Sequence, residues 1–169
     1  MPMPPAAVLQ ADLAVRCRAI AIRERGTRLV TLTFPATAEG TRHALCDLCV
    51  ALTRAGLAAE LLSRVEMALA EVLNNIAEHA YRAGPIAPVR LAVEQCGEEL
   101  CVCVRDCGRP MPGGALPDGA LPSRDVPRDR LPEGGFGWFL IRAQSDFLLY
   151  HREGRKNTLE LYFWPRSGG

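Results

Sequence analysis

Three short stretches hold the residues whose types and spacing could do chemistry. The first is Glu71-Val72-Leu73-Asn74-Asn75-Ile76-Ala77-Glu78-His79-Ala80-Tyr81, in which Glu71 and Asn75 stand four apart. On a helix that spacing puts both on one side, and Glu78 and His79 extend the side by another turn. A carboxylate there can orient or deprotonate a hydroxyl or a water. An amide oxygen one turn away is a hard ligand suited to Mg²⁺, which keeps most of its waters and takes few protein ligands. The same residues read equally as the solvated polar face of an ordinary amphipathic helix.

The second stretch is Val104-Arg105-Asp106-Cys107-Gly108. An aspartate ending an apolar strand can hydrogen-bond an exocyclic amine, and the glycine after it lets a flat ring approach the backbone. Asp and Gly are also standard turn residues, so a plain turn fits as well. The third is Gly134-Gly135-Phe136-Gly137-Trp138-Phe139-Leu140-Ile141. Glycines leading into a helix start expose backbone N–H groups, and the helix dipole favours an anion there, as a triphosphate requires. The phosphate loop Gly-x-x-x-x-Gly-Lys-Ser/Thr is absent from the sequence.

The elements that must position these residues follow from periodicity and turn residues. Leu29 to Phe34 alternates with a period of two and is closed by Pro35, which predicts a strand. Thr37 is a candidate cap for a helix carrying Leu45, Leu48, Cys49 and Leu52, with Gly40 weakening its first turn and Gly56 ending it. A second helix is expected from about Ala58 to about Tyr81, with Leu61, Leu62, Val65, Leu69, Val72, Leu73 and Ile76 as its apolar stripe. Val89 to Gln95 and Leu100 to Arg105, joined by Gly97-Glu98-Glu99, read as an antiparallel hairpin. Residues 109–135 are rich in proline and glycine and keep no hydrophobic period, so they form a long loop of the lid or binding-loop kind. A short helix from Phe136 to Gln144, a strand from Phe147 to His151, a turn at Arg152 to Lys156 and a last strand from Leu159 to Trp164 complete the chain. Before all this, residues 1–25 read as a proline-rich, mobile extension with a short helix from Ala6 to Arg18. The expected class is α/β in the α+β sense: a two-layer sandwich of a mostly antiparallel mixed sheet with helices on one face.

Bulk properties narrow the function. The 169 residues suit one domain, spanning about 27–165, and a formal net charge of +1 gives no field that would hold nucleic acid or an anionic membrane. The arginines are scattered rather than gathered into a basic stripe, so no direct nucleic-acid binding is expected. No apolar run approaches the ~20 residues that span a bilayer. Met1-Pro2-Met3-Pro4-Pro5 lacks the basic start and continuous apolar stretch of a secretion signal, so a cytoplasmic location is expected.

The seven cysteines are an odd number, so at least one stays unpaired within the chain. Cys46 and Cys49 have the spacing of half a zinc site or a redox motif, yet the sequence has no second Cys-x-x-Cys or His pair. They sit in a helical apolar pattern, where cysteine behaves as a small hydrophobe. Cys101 and Cys103 alternate with Val102 and Val104 and share one face of a strand.

Order and context unite the three stretches. A Glu/Asn helix, a strand ending Asp-x-Gly, a Pro/Gly-rich lid and then Gly-x-Gly opening a helix resembles the pattern of the GHKL ATPases, whose fold is the Bergerat fold. Within that superfamily the chain looks like the anti-sigma-factor serine/threonine kinases. The likeness is carried by Ala70-Glu71…Asn75…His79-Ala80-Tyr81, Asp106-x-Gly108-x-Pro110 and Glu133-Gly134-Gly135-Phe136-Gly137-x-Phe139-Leu140-Ile141-Arg142.

The resemblance implies roles. Glu71 is the catalytic carboxylate that polarises the attacking hydroxyl, and Asn75 binds Mg²⁺ between the phosphates of ATP. Asp106 reads the adenine amino group, with Gly108 beneath the ring. Gly135 and Gly137 cradle phosphates under the lid, and Thr158 matches a hydroxyl position that supports the adenine pocket. His79 matches a family position and equally fits a packed, hydrogen-bonded histidine. Arg124, Arg128 and Arg130 lie in the lid, either near a γ-phosphate or solvated. In such enzymes catalysis is mostly positioning and charge neutralisation. The partners implied are a STAS-type antagonist that is phosphorylated and a sigma factor that is held inactive, and dimers are common in the branch. This chain departs from the wider family at Pro110, where many members carry glycine, and at Trp138, where leucine is usual, and its lid is longer than the compact versions. Other functions stay open on sequence alone: a nucleotide-responsive binding protein with little kinase activity, a detached histidine-kinase ATPase domain, or a zinc or redox protein.

Overall fold

The computed structural model describes residues 15–16, 19–22, 24–81, 85–119 and 136–165. Five strands form one sheet: β1 (Thr27–Pro35), β2 (Pro88–Cys96), β3 (Glu99–Asp106), β4 (Phe147–Glu153) and β5 (Lys156–Phe163). Their order is β1-β2-β3-β5-β4, and every pairing is antiparallel. The sheet among the described residues is antiparallel throughout, in keeping with the mostly antiparallel sheet expected. Three helices, α1 (Ala38–Arg54), α2 (Ala59–Asn75) and α3 (Phe136–Gln144), pack on one face.

Local chemistry explains the elements. Thr37 caps α1, its Oγ1 accepting from Gly40 N at 3.0 Å. Gly40 has a packing reason as well: a Cβ there would stand 2.3 Å from Pro35 O, so only glycine lets α1 start this close to the end of β1. The β2–β3 hairpin turns at Gly97 with φ +61°, and β4–β5 at Gly154 with φ +56°, backbone angles that glycine adopts freely. Leu48 and Leu52 of α1, Val65, Leu69, Val72 and Leu73 of α2 and Ile141 of α3 meet Leu91, Val93, Leu100, Val102, Val104, Leu159, Leu161 and Phe163 in one core.

The opposite face is partly covered too. Residues 15–16, 19–22 and 24–25 are helical, so helix is found beyond Arg18, where the expected one ended. Ala19 and Ile22 pack there with Cys101 and Tyr162. The expected start of that helix, Ala6 to Ala14, lies outside the described residues.

Buried Arg64 of α2 holds α3 in place. Its Nε donates to Gln144 O at 3.0 Å, Nη1 to Trp164 O at 3.0 Å and Nη2 to Asp146 Oδ2 at 2.6 Å. The arginine thus satisfies a carbonyl at the end of α3, as a cation at a helix C-terminus does.

Candidate functional site

The second helix does not run regularly to Tyr81. It is α-helical to Asn75 and then makes a single π-helical turn, Ile76–Ala80. The wider turn changes which side chains face inward. Both Glu78 and His79 are exposed, and of the two only His79 borders a cavity. Single π turns inside helices are frequent at functional sites. This one is tied to the strand end opposite: Arg109 N donates to Ala80 O at 2.9 Å, and Cys107 N to the Tyr81 hydroxyl at 2.9 Å. Burial pushes the Tyr81 hydroxyl above the usual phenol range, which keeps it protonated.

The cavity holds about 520 Å³, within the size range of small-molecule sites. It lies between α2 with its π turn and the ends of β3 and β5. Val72, Asn75, His79, Asp106, Trp138 and Asn157 line it, together with Met111 and Pro117 from the start of the 109–135 segment. That start is pinned to α3, because Arg142 Nε donates to Pro117 O at 2.8 Å. Trp138, the residue in place of the usual leucine, thus forms part of the wall.

Asn75 lines the cavity, and Glu71 and Gly137 stand beside it just outside the lining. A Cβ on Gly137 would lie 2.9 Å from Glu71 Oε2 and 3.8 Å from Asn75 Nδ2, so α3 begins directly against both side chains. Asn75 Nδ2 is buried and has no hydrogen-bond partner among the described residues. A buried amide left unsatisfied costs on the order of 1–3 kcal/mol, and a bound polar group would remove that cost.

Asp106 also lines the cavity and is 7% exposed. Its Oδ1 accepts from Gly108 N at 2.7 Å and from Asn157 Nδ2 at 2.9 Å. Nothing among the described residues donates to Oδ2. Gly108 does not line the cavity as expected. Its missing side chain makes room for Ala80, since a Cβ would stand 2.7 Å from Ala80 O and 2.6 Å from Ala80 Cβ.

Thr158 is also corrected. It pairs with Arg105 and His151 across the sheet, and strand alternation places it with Glu160 and Tyr162 on the face away from the cavity. Asn157, one residue earlier, takes the inward position beside Asp106. Sequence reasoning missed Asn157, and with it Tyr150 and Arg152, which hold it. The period of Leu159, Leu161 and Phe163 was the signal that could have found it. Gly135, Arg124, Arg128 and Arg130 lie outside the described residues.

Other chemistries find less support in the geometry. Among the described residues no group of three or more His, Cys, Asp or Glu side chains is placed to hold a metal. Cys46 is exposed and Cys49 half-buried on α1, and both are free thiols. No helix of the described residues is long and apolar enough to cross a membrane.

An antiparallel sheet backed by helices on one face, with a cavity between a Glu/Asn helix and a strand-end aspartate, is an α+β sandwich of the Bergerat, or GHKL, fold. The chain belongs to the histidine kinase-like ATPase domain family, whose pattern matches residues 34–163. Among solved structures it is similar to the RsbU and RsbW domains of Rv1364c from Mycobacterium tuberculosis. That match has 16% identity and a TM-score of 0.56, over 79% of this chain and 31% of the other. It is also similar to the SiaB–SiaC complex from Pseudomonas aeruginosa, at 13% identity and a TM-score of 0.51, over 92% of this chain and 99% of the other. At these identities the likeness is one of fold, and this chain spans under a third of the first. A search of curated proteins finds no match.

Proposed function

We propose that this chain is an ATP-dependent protein serine/threonine kinase of the anti-sigma-factor type, acting on a STAS-type antagonist. The observation that carries the reading is the buried, unpartnered Asn75 amide standing beside Glu71 at the start of α3. A side-chain amide can present its oxygen or its nitrogen, so Asn75 suits a metal-bound triphosphate. Asp106, with Oδ2 unclaimed, suits the amino group of adenine. The residues present therefore fit Mg·ATP: Asn75 would hold the metal, Asp106 the base, and the N–H groups at Gly135 and Gly137 the phosphates. The magnesium, when bound, neutralises phosphate charge. Glu71 would orient the acceptor hydroxyl and take its proton as the oxygen attacks.

The kinase branch follows from the sequence likeness in the three motifs, and the partner from the same likeness. A partner switch, in which the unphosphorylated antagonist frees a sigma factor, a homodimer and a cytoplasmic setting complete the reading.

The test has two stages. Calorimetry of the folded chain with ATP and Mg²⁺ is expected to show saturable binding that survives Glu71→Ala. Incubation of co-purified partner with labelled ATP is expected to yield acid-stable phosphoserine or phosphothreonine, and none with Glu71→Ala. No heat of binding on folded protein would remove the nucleotide reading. Binding without transfer would leave a nucleotide-responsive binding protein, and acid-labile phosphate would point to histidine.

A further inference from the structure

Asn157 is the side chain through which the β4–β5 hairpin reaches Asp106. Its Nδ2 donates to Asp106 Oδ1 at 2.9 Å and to Arg109 O at 3.0 Å. Its Oδ1 accepts from the Tyr150 hydroxyl at 2.9 Å and from Arg152 Nη1. The same Arg152 nitrogen donates to Gly108 O at 3.1 Å. Asn157 is 5% exposed, so water cannot substitute freely for these partners.

An amide is ambivalent, and here the ambivalence matters. Turned one way, Asn157 offers Asp106 an N–H group. Turned the other way, it offers an oxygen, which repels the carboxylate. Two groups favour one choice: the Arg109 carbonyl, which only accepts, draws the nitrogen, and Arg152, whose guanidinium carries only donors and a permanent charge, draws the oxygen. Tyr150 adds to it: its oxygen accepts from Met111 N at 3.2 Å, which leaves the O–H to point at Asn157. The oxygen of Asn157 must then face the hairpin, and its nitrogen must face Asp106.

We infer that Arg152, acting through Asn157, is a positioning residue that holds an N–H donor on Asp106 Oδ1, leaves Oδ2 to accept, and so makes the cavity select 6-aminopurines over 6-oxopurines. The inference rests on the nucleotide-binding reading above. With Oδ1 filled by two donors, Oδ2 is left to accept from a base. A carboxylate oxygen that only accepts pairs with an amino group and repels a keto oxygen. A site built in this way rejects the wrong partner strongly, because a mismatch leaves a buried polar group unpaired.

Calorimetry with ADP and with IDP, each with Mg²⁺, tests this. The two bases differ only at the 6-substituent and the accompanying proton on N1. The unmodified chain is expected to prefer ADP by on the order of a hundredfold or more. Arg152→Met should cut that preference by about tenfold while leaving IDP affinity in place, and Arg152→Lys should restore most of it. Equal weakening of both ligands by Arg152→Met would mean a merely structural role and would overturn the inference. Should Arg152→Met fail to fold, Tyr150→Phe keeps the arginine and removes the other donor to Asn157. It is expected to lower the ADP preference several-fold, and an unchanged ratio there also overturns the inference. If the unmodified chain binds neither ligand, the inference falls together with the nucleotide reading. If it binds ADP and the ratio never moves, the inference alone falls.

Discussion

Gly137 faces Glu71 so closely that a methyl group on it would lie 2.9 Å from the carboxylate oxygen Oε2. The first turn of α3 therefore depends on glycine to leave the acid of α2 where it stands. Real Cβ atoms do not come that near an oxygen, so one of the two must move. The end of a glutamate side chain moves cheaply, and a helix backbone does not.

Gly137→Ala should therefore separate function from stability. Alanine gains up to about 1 kcal/mol of helix propensity over glycine, which offsets the displacement of Glu71. The melting temperature is expected to stay level or rise slightly. Phosphoryl transfer should fall by about tenfold or more, because a small misplacement of a reacting group is costly. Thermal denaturation and transfer assays on one preparation check both, and full transfer in a folded variant would dissociate Glu71 from the chemistry.

Gly108→Ala should behave in the opposite way. The atoms it would meet are Ala80 O and Cβ, which cannot swing aside. The strand end and the π turn would have to separate, and the bond from Arg109 N to Ala80 O would be lost. A loss of about 1–3 kcal/mol in stability is expected, measured by denaturant unfolding. Hydrogen exchange at the Arg109 amide should accelerate in the same variant, and a protected amide would show that the contact had simply relaxed.

Much of this arrangement was legible in the sequence, because it depends on local pattern. The period-two runs placed the strands, Thr37 marked the start of α1, and the Glu71–Asn75 spacing put two polar groups on one helix face. What escaped detection is non-local or subtle. A π turn of five residues, Ile76–Ala80, differs from an α turn by one residue, too little to alter an apolar pattern. Tyr150 and Arg152 reach Met111 and Gly108 across 39 and 44 residues, and only the adjacency of β3, β5 and β4 brings them together. The role of Gly108 is of the same kind, since Ala80 becomes its neighbour only when the helix end folds onto the strand.

Thr158 shows how a family hydroxyl and a strand's own parity can conflict. Leu159, Leu161 and Phe163 belong to the main core, so the same alternation sends Thr158 outward and Asn157 inward. Thr158→Val keeps the β-branched shape and removes the hydroxyl. It is expected to leave ADP affinity within about twofold and stability within about 1 kcal/mol. Asn157→Leu, in contrast, should weaken ADP by at least about tenfold, because Asp106 loses a buried donor. Calorimetry on the pair decides which residue serves the cavity. A larger loss from the threonine would reverse the assignment.

The face away from the cavity has its own electrostatics. Cys101 is 2% exposed there, packed with Ala19, Ile22 and Tyr162. Burial pushes its thiol up from the ordinary value of 9.0 to about 12, with the neighbouring Glu160 carboxylate adding to the rise. Desolvation also raises the Tyr162 hydroxyl, which donates to Glu160 at 2.6 Å. The folded chain thus holds the Cys101 proton at pH values where the unfolded chain has released it. Fewer protons on the unfolded state mean that stability falls as pH rises. The contribution is intact below pH 9 and is lost progressively between pH 9 and about 12, with a slope near 1.4 kcal/mol per pH unit for one group. Denaturant unfolding across that window should show a steeper alkaline decline for the native chain than for Cys101→Ala. Tyr162 is raised chiefly by burial and by Glu160, which the substitution leaves in place, so most of its contribution cancels and the part due to Cys101 adds to the difference. Parallel declines would mean that the thiol titrates in the folded protein as it does in water, and that the N-terminal helical residues do not keep that face dry.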